Sequence, residues 1–447
     1  MSFTERFQIS LESLFVPLKT TTFVVAYSGG IDSRVLLHCC KKLNLSVRAV
    51  HVHHGLQSKA NEWVTHCQNT CEGLGVPIDV IYVDANKKKG ESPEETARNV
   101  RYTALQSGLV AGEVLLTAQH RDDQAETLLL QLFRSASSAG LAAMPASKLL
   151  GDHLHLRPFL SFSRNEIENF AKQNALVWIE DPSNQDEAFD RNFIRKSILP
   201  SLEERWPEVK SQLSTVASLQ AKNLEVLENM AAIDMANALS TQKTRGVFET
   251  LSILSIDNLV HLSSSRLLNL LRYWIINTLQ KQPTKKLLKE IEGSLIQSQP
   301  DANPDIVFSN FSFKKFQGNL YLIKTNNATV VQKDVGWNPS VQLDLPDLNI
   351  QIKAILSMKK GLNNQLLDEL LYVRFRKGGE KFHPANRQHS QSLKKLLQEA
   401  NVPPWERDVV PLIYFGDELI AVGGLWIAKA FAVSEGENGW VVGVEHS

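Results

Sequence analysis

Five apolar or aromatic residues, Phe23-Val24-Val25-Ala26-Tyr27, run straight into Ser28-Gly29-Gly30 and then into a helical pattern from about Asp32. A short run rich in β-branched and aromatic side chains and closed by glycine reads as a strand buried on both faces. The same alternation continues along the first two hundred residues. Val47–Val52, Ile78–Val83 and Val114–Leu116 read as further strands, and Asn61–Leu74 and Asp122–Phe133 as helices. Another helix opens at Ser92, where Ser92 and Glu95 make a capping box and Pro93 suits the first helical position. Strands alternating with helices require right-handed crossovers and a parallel sheet covered on both faces. The fold class expected is therefore α/β, a doubly wound parallel sheet whose ligands bind beyond the carboxyl ends of its strands.

At 447 residues the chain is too long for one core, and roughly 100–200 residues per domain gives about three. From about Ser163 to Leu279 the pattern turns helical. Ser163 and Glu166 form a second capping box, and Val216, Leu219, Val226, Met230 and Ile233 keep a helical spacing. A break falls around Thr241–Arg245. After about Lys333 alternating runs return (Val341–Leu343–Leu345, Ile350–Ile352), with one short amphipathic helix marked by Leu393, Leu396, Leu397 and Ala400. The domains expected are 1–215 for the α/β part, 216–330 for a mostly helical part and 331–447 for a small α+β part.

Composition excludes several classes. With 43% hydrophobic and 21% charged residues the chain is that of a globular protein rather than a disordered one. No stretch approaches the roughly 20 apolar residues that span a bilayer; Leu419–Ala428 is half that and holds Gly423-Gly424. No secretory signal is visible, so a cytoplasmic protein without membrane contact is expected. The four cysteines, Cys39, Cys40, Cys67 and Cys71, form neither a disulfide framework nor a C-x-x-C metal site. Lys and Arg balance Asp and Glu at 48 each, so a polyanion must be met locally. The 22 residues from Arg374 to Lys395 hold seven basic side chains against the single Glu380.

The turn Ser28-Gly29-Gly30-Ile31-Asp32-Ser33 carries the strongest chemical signal. Two glycines let successive N–H groups converge on phosphate oxygens, and the helix that follows points its positive end at the same anion. Ser28 and Ser33 supply hydroxyls, and Asp32 is suited to hold Mg²⁺ on a nucleotide. The turn lacks the G-K-[ST] of a Walker loop and the third glycine of a dinucleotide fingerprint. SGG-x-D-S between a strand and a helix resembles the PP-loop ATP pyrophosphatases. That resemblance implies a loop that grips the pyrophosphate of ATP while a substrate oxygen attacks the α-phosphate, and it assigns Ser28, Gly29, Gly30, Ile31, Asp32 and Ser33 to the nucleotide.

Later landmarks narrow the resemblance. They are His51-Val52-His53-His54-Gly55-Leu56, Glu94-Glu95-Thr96-Ala97-Arg98 with Arg101-Tyr102, and Thr117 to Thr127 (TAQHRDDQAET). Arg157-Pro158-Phe159-Leu160, Trp178 to Asn184 (WIEDPSN), Arg191-Asn192, Arg374–Gly379 and Pro404 to Asp408 follow. In this order they resemble the tRNA(Ile)-lysidine synthetases. The resemblance implies that ATP adenylates the wobble cytidine of a minor isoleucine tRNA with a CAU anticodon at its 2-oxo group. The ε-amine of free L-lysine then displaces AMP from carbon-2, so that the tRNA reads AUA. It also points to a homodimer.

Individual residues take roles on that reading. Asp123 and Glu126, three apart at a helix start, face the cleft together, suited to hold the lysine ammonium and take up its proton. His120 and Asp122 orient the nucleotide or the same base. His51, His53 and His54 end a strand that lines the cleft, with His53 placed on the nucleotide. Arg98 and Arg101, about a helical turn apart, either contact phosphate or pair with Glu94 and Glu95. Arg134 belongs with the substrate contacts, although the stretch after it, Ser135-Ala136-Ser137-Ser138-Ala139, is poorer in glycine than the family pattern. Arg374, Arg376, Lys394 and Lys395 are expected to contact tRNA, and Trp405 either stacks on RNA or anchors a core. A 2-thiolating relative would need C-x-x-C pairs, which are absent. A non-catalytic RNA-binding relative would tolerate loss of Asp32 or Asp123, and both are present.

Overall fold

The computed structural model describes all residues except 54, 56–59, 85–92, 135, 183–185, 242–247, 300–303, 326–333, 435 and 447, and omits the side chains of 93–95 and 446. His54, Ser135, Ser183, Asn184, the cap expected at Ser92 with Glu95 and most of the break expected at Thr241–Arg245 therefore lie outside the described residues. The chain divides into two compact units, Met1–Val226 and Leu227–Ser447.

The first unit opens with helix α1 (Phe3–Leu14), capped by Ser2, whose Oγ accepts from the Glu5 N–H at 3.2 Å. Then come β1 (Thr22–Ala26), α2 (Ile31–Lys42), β2 (Ser46–His53), α3 (Ala60–Leu74), β3 (Ile78–Tyr82), α4 (Pro93–Ser107), β4 (Val114–Leu116) and α5 (Arg121–Phe133). The short α6 (Ser138–Leu141) precedes a hairpin of β5 (Ser147–Leu150) and β6 (His153–Leu156), and α7 (Arg164–Gln173) follows. The six strands lie in the order β3-β2-β1-β4-β6-β5, all parallel except β5.

Strand β1 is central, and its period of two decides which core each residue enters. Phe23 and Val25 point into one core with Phe7, Leu11, Val35 and Leu36. Val24 points into the other with Val50, Leu105 and Leu115. Phe7 and Leu11 are fully buried; burying such a side chain stabilises by about 1.5–3 kcal/mol, which is what fastens α1 to the sheet. The chain leaves β1 for β2 on one side and later returns to β4 on the other. The loops after β1 and β4 therefore flank the point where strand order reverses, where such sheets bind ligands. The Ser163 cap of α7 is as expected: Ser163 Oγ accepts from the Glu166 N–H at 3.2 Å and the Ser163 N–H donates to Glu166 at 2.7 Å.

Beyond α7 the chain forms α8 (Asp190–Phe193), a π-helical turn (Ile194–Ile198), α9 (Leu199–Arg205) and α10 (Val209–Ala238). The helical spacing of Val216, Leu219, Val226, Met230 and Ile233 falls on α10, where all five are exposed and the small Ala217 and Ala231 are buried.

The second unit contains more strand than its helical pattern implied. Thr250–Ser255 pairs with Asn319–Lys324, which pairs with Phe311–Phe316 and then Asp305–Phe308, giving a four-stranded antiparallel sheet. Helix Ser264–Leu279 covers it with Leu267, Leu270, Leu271 and Trp274, and the Trp274 indole N–H donates to Ser252 Oγ at 2.9 Å. Further on, Ile350–Ser357 pairs antiparallel with Gly439–His446, and a five-stranded antiparallel sheet packs beside helix Leu393–Glu399, whose Leu393, Leu396 and Leu397 are buried. Trp405 lies edge-on to Tyr321 and Phe316, at 5.3 and 5.9 Å between ring centres, as a packing anchor. Among the described residues no helix is long and apolar enough to cross a membrane.

Candidate active site

The glycine turn after β1 has a geometry that only its own sequence allows. Gly29 has φ +86°, and a Cβ there would lie 2.9 Å from Ile179 Cδ1 and 3.0 Å from Cys67 Sγ. The Gly29 carbonyl accepts from the Ile179 N–H at 2.9 Å, so residues of the WIEDPSN segment hold the turn from behind. Ser33 Oγ donates to the Gly30 carbonyl at 3.0 Å and accepts from the Ser28 N–H at 3.2 Å. Gly30 is the N-cap of α2 and offers no side chain to its first amides, which leaves those donors and the helix dipole open to an anion. Ile31 is buried in the core and brings only its backbone to the turn.

Asp32, in the first turn of α2, is held by the loops after β4 and before α7. Its Oδ2 accepts from Arg164 Nη1 at 2.6 Å, while Oδ1 is buried without a hydrogen bond and lies 3.8 Å from His120 Nε2. Burial pushes the Asp32 carboxyl above its ordinary value, outweighing the pull of His120 and Arg164. Among the described residues no group of three His, Cys, Asp or Glu side chains is arranged to hold a metal. The orphaned Oδ1 instead fits a Mg²⁺ ion bound through one carboxylate, with phosphate and water oxygens completing its shell.

The opposite wall is the start of α5. His120 caps that helix, and its backbone N–H donates to Asp123 Oδ2 at 3.0 Å. Its buried ring is ringed by carboxylates: Nε2 lies 3.5 Å from Asp123 and Nδ1 3.9 Å from Asp122. Burial opposes the charge of Asp123, but His120, Arg191, the His120 N–H and Arg195 together hold its pKa below the ordinary carboxylate value. Asp32 and Asp123 thus face the same cleft with their carboxyls shifted in opposite directions by burial and by neighbouring cations.

Glu126 is 1% exposed, and both of its oxygens are taken. Arg191 Nε donates to Oε2 at 2.8 Å, and Arg195 donates through Nε to Oε1 at 2.6 Å and through Nη2 to Oε2 at 2.8 Å. The same guanidinium groups stand farther from Asp123 Oδ1, at 3.4 and 3.6 Å. The carboxylate pair expected to face an amine is therefore unequal. Asp123 is the looser acceptor, whereas Glu126 fixes two arginines. Sequence alone does not connect Arg191 and Arg195 to this site, although their spacing of four places them on one face.

Asp122 is a strut. Its Oδ1 accepts from the Arg164 N–H at 3.0 Å, capping α7, and its Oδ2 pairs with Lys210 at 3.3 Å. His51 Nδ1 bonds to the Tyr27 carbonyl at 2.9 Å inside the core. His53, at the end of β2, stacks obliquely on Tyr82 with its Nε2 unpartnered. Arg98 and Arg101 are exposed on α4, and Arg134 is exposed as the C-cap of α5.

In the second unit the basic segment is more neutral than its window of sequence suggested. Arg374 Nε donates to Asp334 at 2.8 Å, Arg376 to Asp408 at 3.1 Å, and Arg387 pairs with Glu399 at 2.6 Å. All three acids lie outside the window in sequence. Lys394 and Lys395 remain exposed, the latter 3.9 Å from Glu399.

Residues 3–202 match the family described as PP-loop domain, 254–321 the TilS substrate binding domain, and 371–444 the TilS substrate C-terminal domain. The tRNA(Ile)-lysidine synthase of Coxiella burnetii is 38% identical over 95% of this chain and 93% of its own length. Those of Serratia proteamaculans and Methylococcus capsulatus are each 38% identical, over 93% and 95% of this chain and 94% and 97% of theirs. An anion-ready glycine turn facing a nest of carboxylates, matched along nearly its whole length by these relatives, makes the chain a member of the tRNA(Ile)-lysidine synthase family.

Proposed function

We propose that this enzyme joins lysine to carbon-2 of the wobble cytidine of a CAU-anticodon isoleucine tRNA, with ATP as the activating reagent. The observation that carries the reading is the juxtaposition of an uncapped helix start at Gly30 with the carboxylates of Asp32 and Asp123, which converge on the same ring nitrogen of His120. The amides of the turn would hold the departing pyrophosphate while the cytidine 2-oxo group attacks the α-phosphate, with charge developing at the most electropositive backbone of the cleft. Mg²⁺ on Asp32, when bound, would neutralise phosphate charge.

The second step needs a neutral amine from a group whose ordinary pKa is about 10.4. Asp123, kept ionised by its neighbours, receives the lysine ammonium, and His120 at 3.5 Å offers a route for its proton. Glu126 acts through Arg191 and Arg195, which set the position of Asp123. The exposed Lys394 and Lys395 are suited to tRNA phosphate, and a homodimer accords with the family resemblance.

The test is incorporation of labelled lysine into an isoleucine tRNA transcript with a CAU anticodon. The complete reaction should label the RNA and release AMP and pyrophosphate. Omission of ATP, or Asp123→Asn, should reduce labelling by at least about 100-fold, the scale of a lost general base. Release of ADP, or wild-type labelling by the variant, would refute the reading.

A further inference from the structure

Apart from the arginines engaged by Glu126 and Asp32, the first unit gathers positive charge around Tyr102 on α4. The Arg98 guanidinium lies 5.4 Å and the Lys148 ammonium 5.2 Å from the centre of the Tyr102 ring. Beneath them Arg157 is only 2% exposed. Arg157 Nη1 donates to the Pro145 carbonyl at 2.7 Å and Nη2 to His155 Nδ1 at 3.4 Å, while Nε is buried without a partner. Among the described residues no carboxylate pairs with Arg98, Lys148 or Arg157. Three cations thus gather about one half-buried phenol with an unmet donor at the floor. Of the three only Arg157 is buried, and burying a charge against no more than carbonyl, imidazole and phenol dipoles is costly, so the group is set up for an anion that arrives from outside.

The field is felt by neighbouring groups. Burial alone would raise the Tyr102 phenol, yet Arg157, Arg98 and Lys148 hold it below its ordinary value. His155 is pushed down to about 3 by burial and then by the same three cations. Its neutral ring takes one proton pattern: Nδ1 accepts from Arg157, and Nε2 donates to Thr117 Oγ1 at 2.7 Å. The Thr117 hydroxyl in turn donates to Gln119 Oε1. The line Arg157–His155–Thr117–Gln119 ends one residue before His120, in the loop that carries His120 to the cleft.

We propose that Arg98, Lys148 and Arg157, grouped about Tyr102, form a cradle for a backbone phosphodiester of the RNA substrate beside the nucleotide that reacts. This rests on the tRNA-modifying reading above. ATP has its own anion site at the glycine turn, whereas an RNA strand entering the cleft carries a phosphate at every nucleotide. A tyrosine ring beside a phosphate site suits single-stranded RNA, whose unstacked bases lie on aromatic faces. Arg98 at the rim captures the phosphate, and Arg157 at the floor fixes its depth.

The experiment measures transcript affinity against salt, and separately ATP affinity, for the wild type, Arg98→Gln and Lys148→Gln. Both substitutions are at accessible positions, and thermal melting would report their folding. Removing one cation from a phosphate flattens the slope of log affinity against log salt by about 0.7–0.9. Each variant should show that change with roughly fivefold to tenfold weaker transcript binding at low salt and unchanged ATP affinity. An unaltered salt slope, or weakening confined to ATP, would overturn the cradle even if lysine transfer by the wild type is normal. A wild type that neither binds nor labels the transcript would remove the underlying functional reading and the cradle with it.

Discussion

Replacing Gly29 by alanine tests whether the turn is held by what stands behind it. At φ +86° an L side chain costs about 1–2 kcal/mol. The new methyl would also meet Ile179 Cδ1 at 2.9 Å and Cys67 Sγ at 3.0 Å, and overpacking of this kind costs about 1–3 kcal/mol. The sum is about 2–5 kcal/mol. Because the turn can shift away from Ile179 more readily than the sheet can unfold, the penalty falls mainly on ATP. At 1.4 kcal/mol per factor of ten, ATP affinity should drop by at least about 30-fold. Gly112 supplies a control, since it has φ +85° with nothing within 4 Å of its added Cβ. Gly112→Ala carries the backbone strain without the clash. Calorimetric ATP titration of Gly29→Ala, Gly112→Ala and the double variant Gly29→Ala/Ile179→Ala separates the two terms. The double variant should recover part of the affinity, because one of its two close approaches is gone. If Gly29→Ala bound ATP like Gly112→Ala, or if removing Ile179 returned nothing, the packing account of the turn would be wrong.

Other consequences follow from the same geometry. Glu126→Gln leaves two guanidinium groups facing a neutral amide and should destabilise the first unit by roughly 3 kcal/mol in urea unfolding; a change under about 1 kcal/mol would contradict the role given to that carboxylate. Asp32→Asn should be inactive yet more stable than the wild type at neutral pH. A carboxyl with a raised folded pKa destabilises the fold once ionised, so the gain is complete above that raised value and vanishes as pH falls through the ordinary carboxylate value; a lower melting temperature at neutral pH would refute this. The double variant Lys394→Gln/Lys395→Gln should flatten the salt dependence of transcript binding by about 1.4–1.8, whereas Arg374→Gln, already engaged with Asp334, should leave the slope almost unchanged.

What could be read from sequence divides along physical lines. Strand β1 was legible because burial on both faces demands an unbroken apolar run, and the cap of α7 because its two partners lie three residues apart. The hairpin from Ser147 to Leu156 was not, since two four-residue strands around Gly151 carry too little pattern. Strand Thr250–Ser255 was hidden among helices because its partner, Asn319–Lys324, lies far along the chain. The placement of the glycine turn before α2 and of Asp123 in the first turn of α5 was legible from residue type and spacing. The engagement of Glu126 was not, because Arg191 and Arg195 reach it from 65 and 69 residues away. Distance along the chain likewise misled the count of charge around Arg374: Asp334 and Asp408 neutralise it from outside any local window.

Two helices begin at the cleft, and they differ in one respect. The first amides of α2 have no side chain across them, whereas α5 starts with His120 and Asp123 already bonded to each other. On the proposed reading, a doubly charged tail entering between them meets one helix start free of acidic side-chain bonds and one whose first turn is ringed by the carboxylates of Asp122 and Asp123. Head-to-tail reversal of a nucleotide held there would bring its phosphates against Asp122 and Asp123 and so be disfavoured before any base contact is made. On that reading the helix start that no side chain caps would set which way round the reacting phosphorus sits.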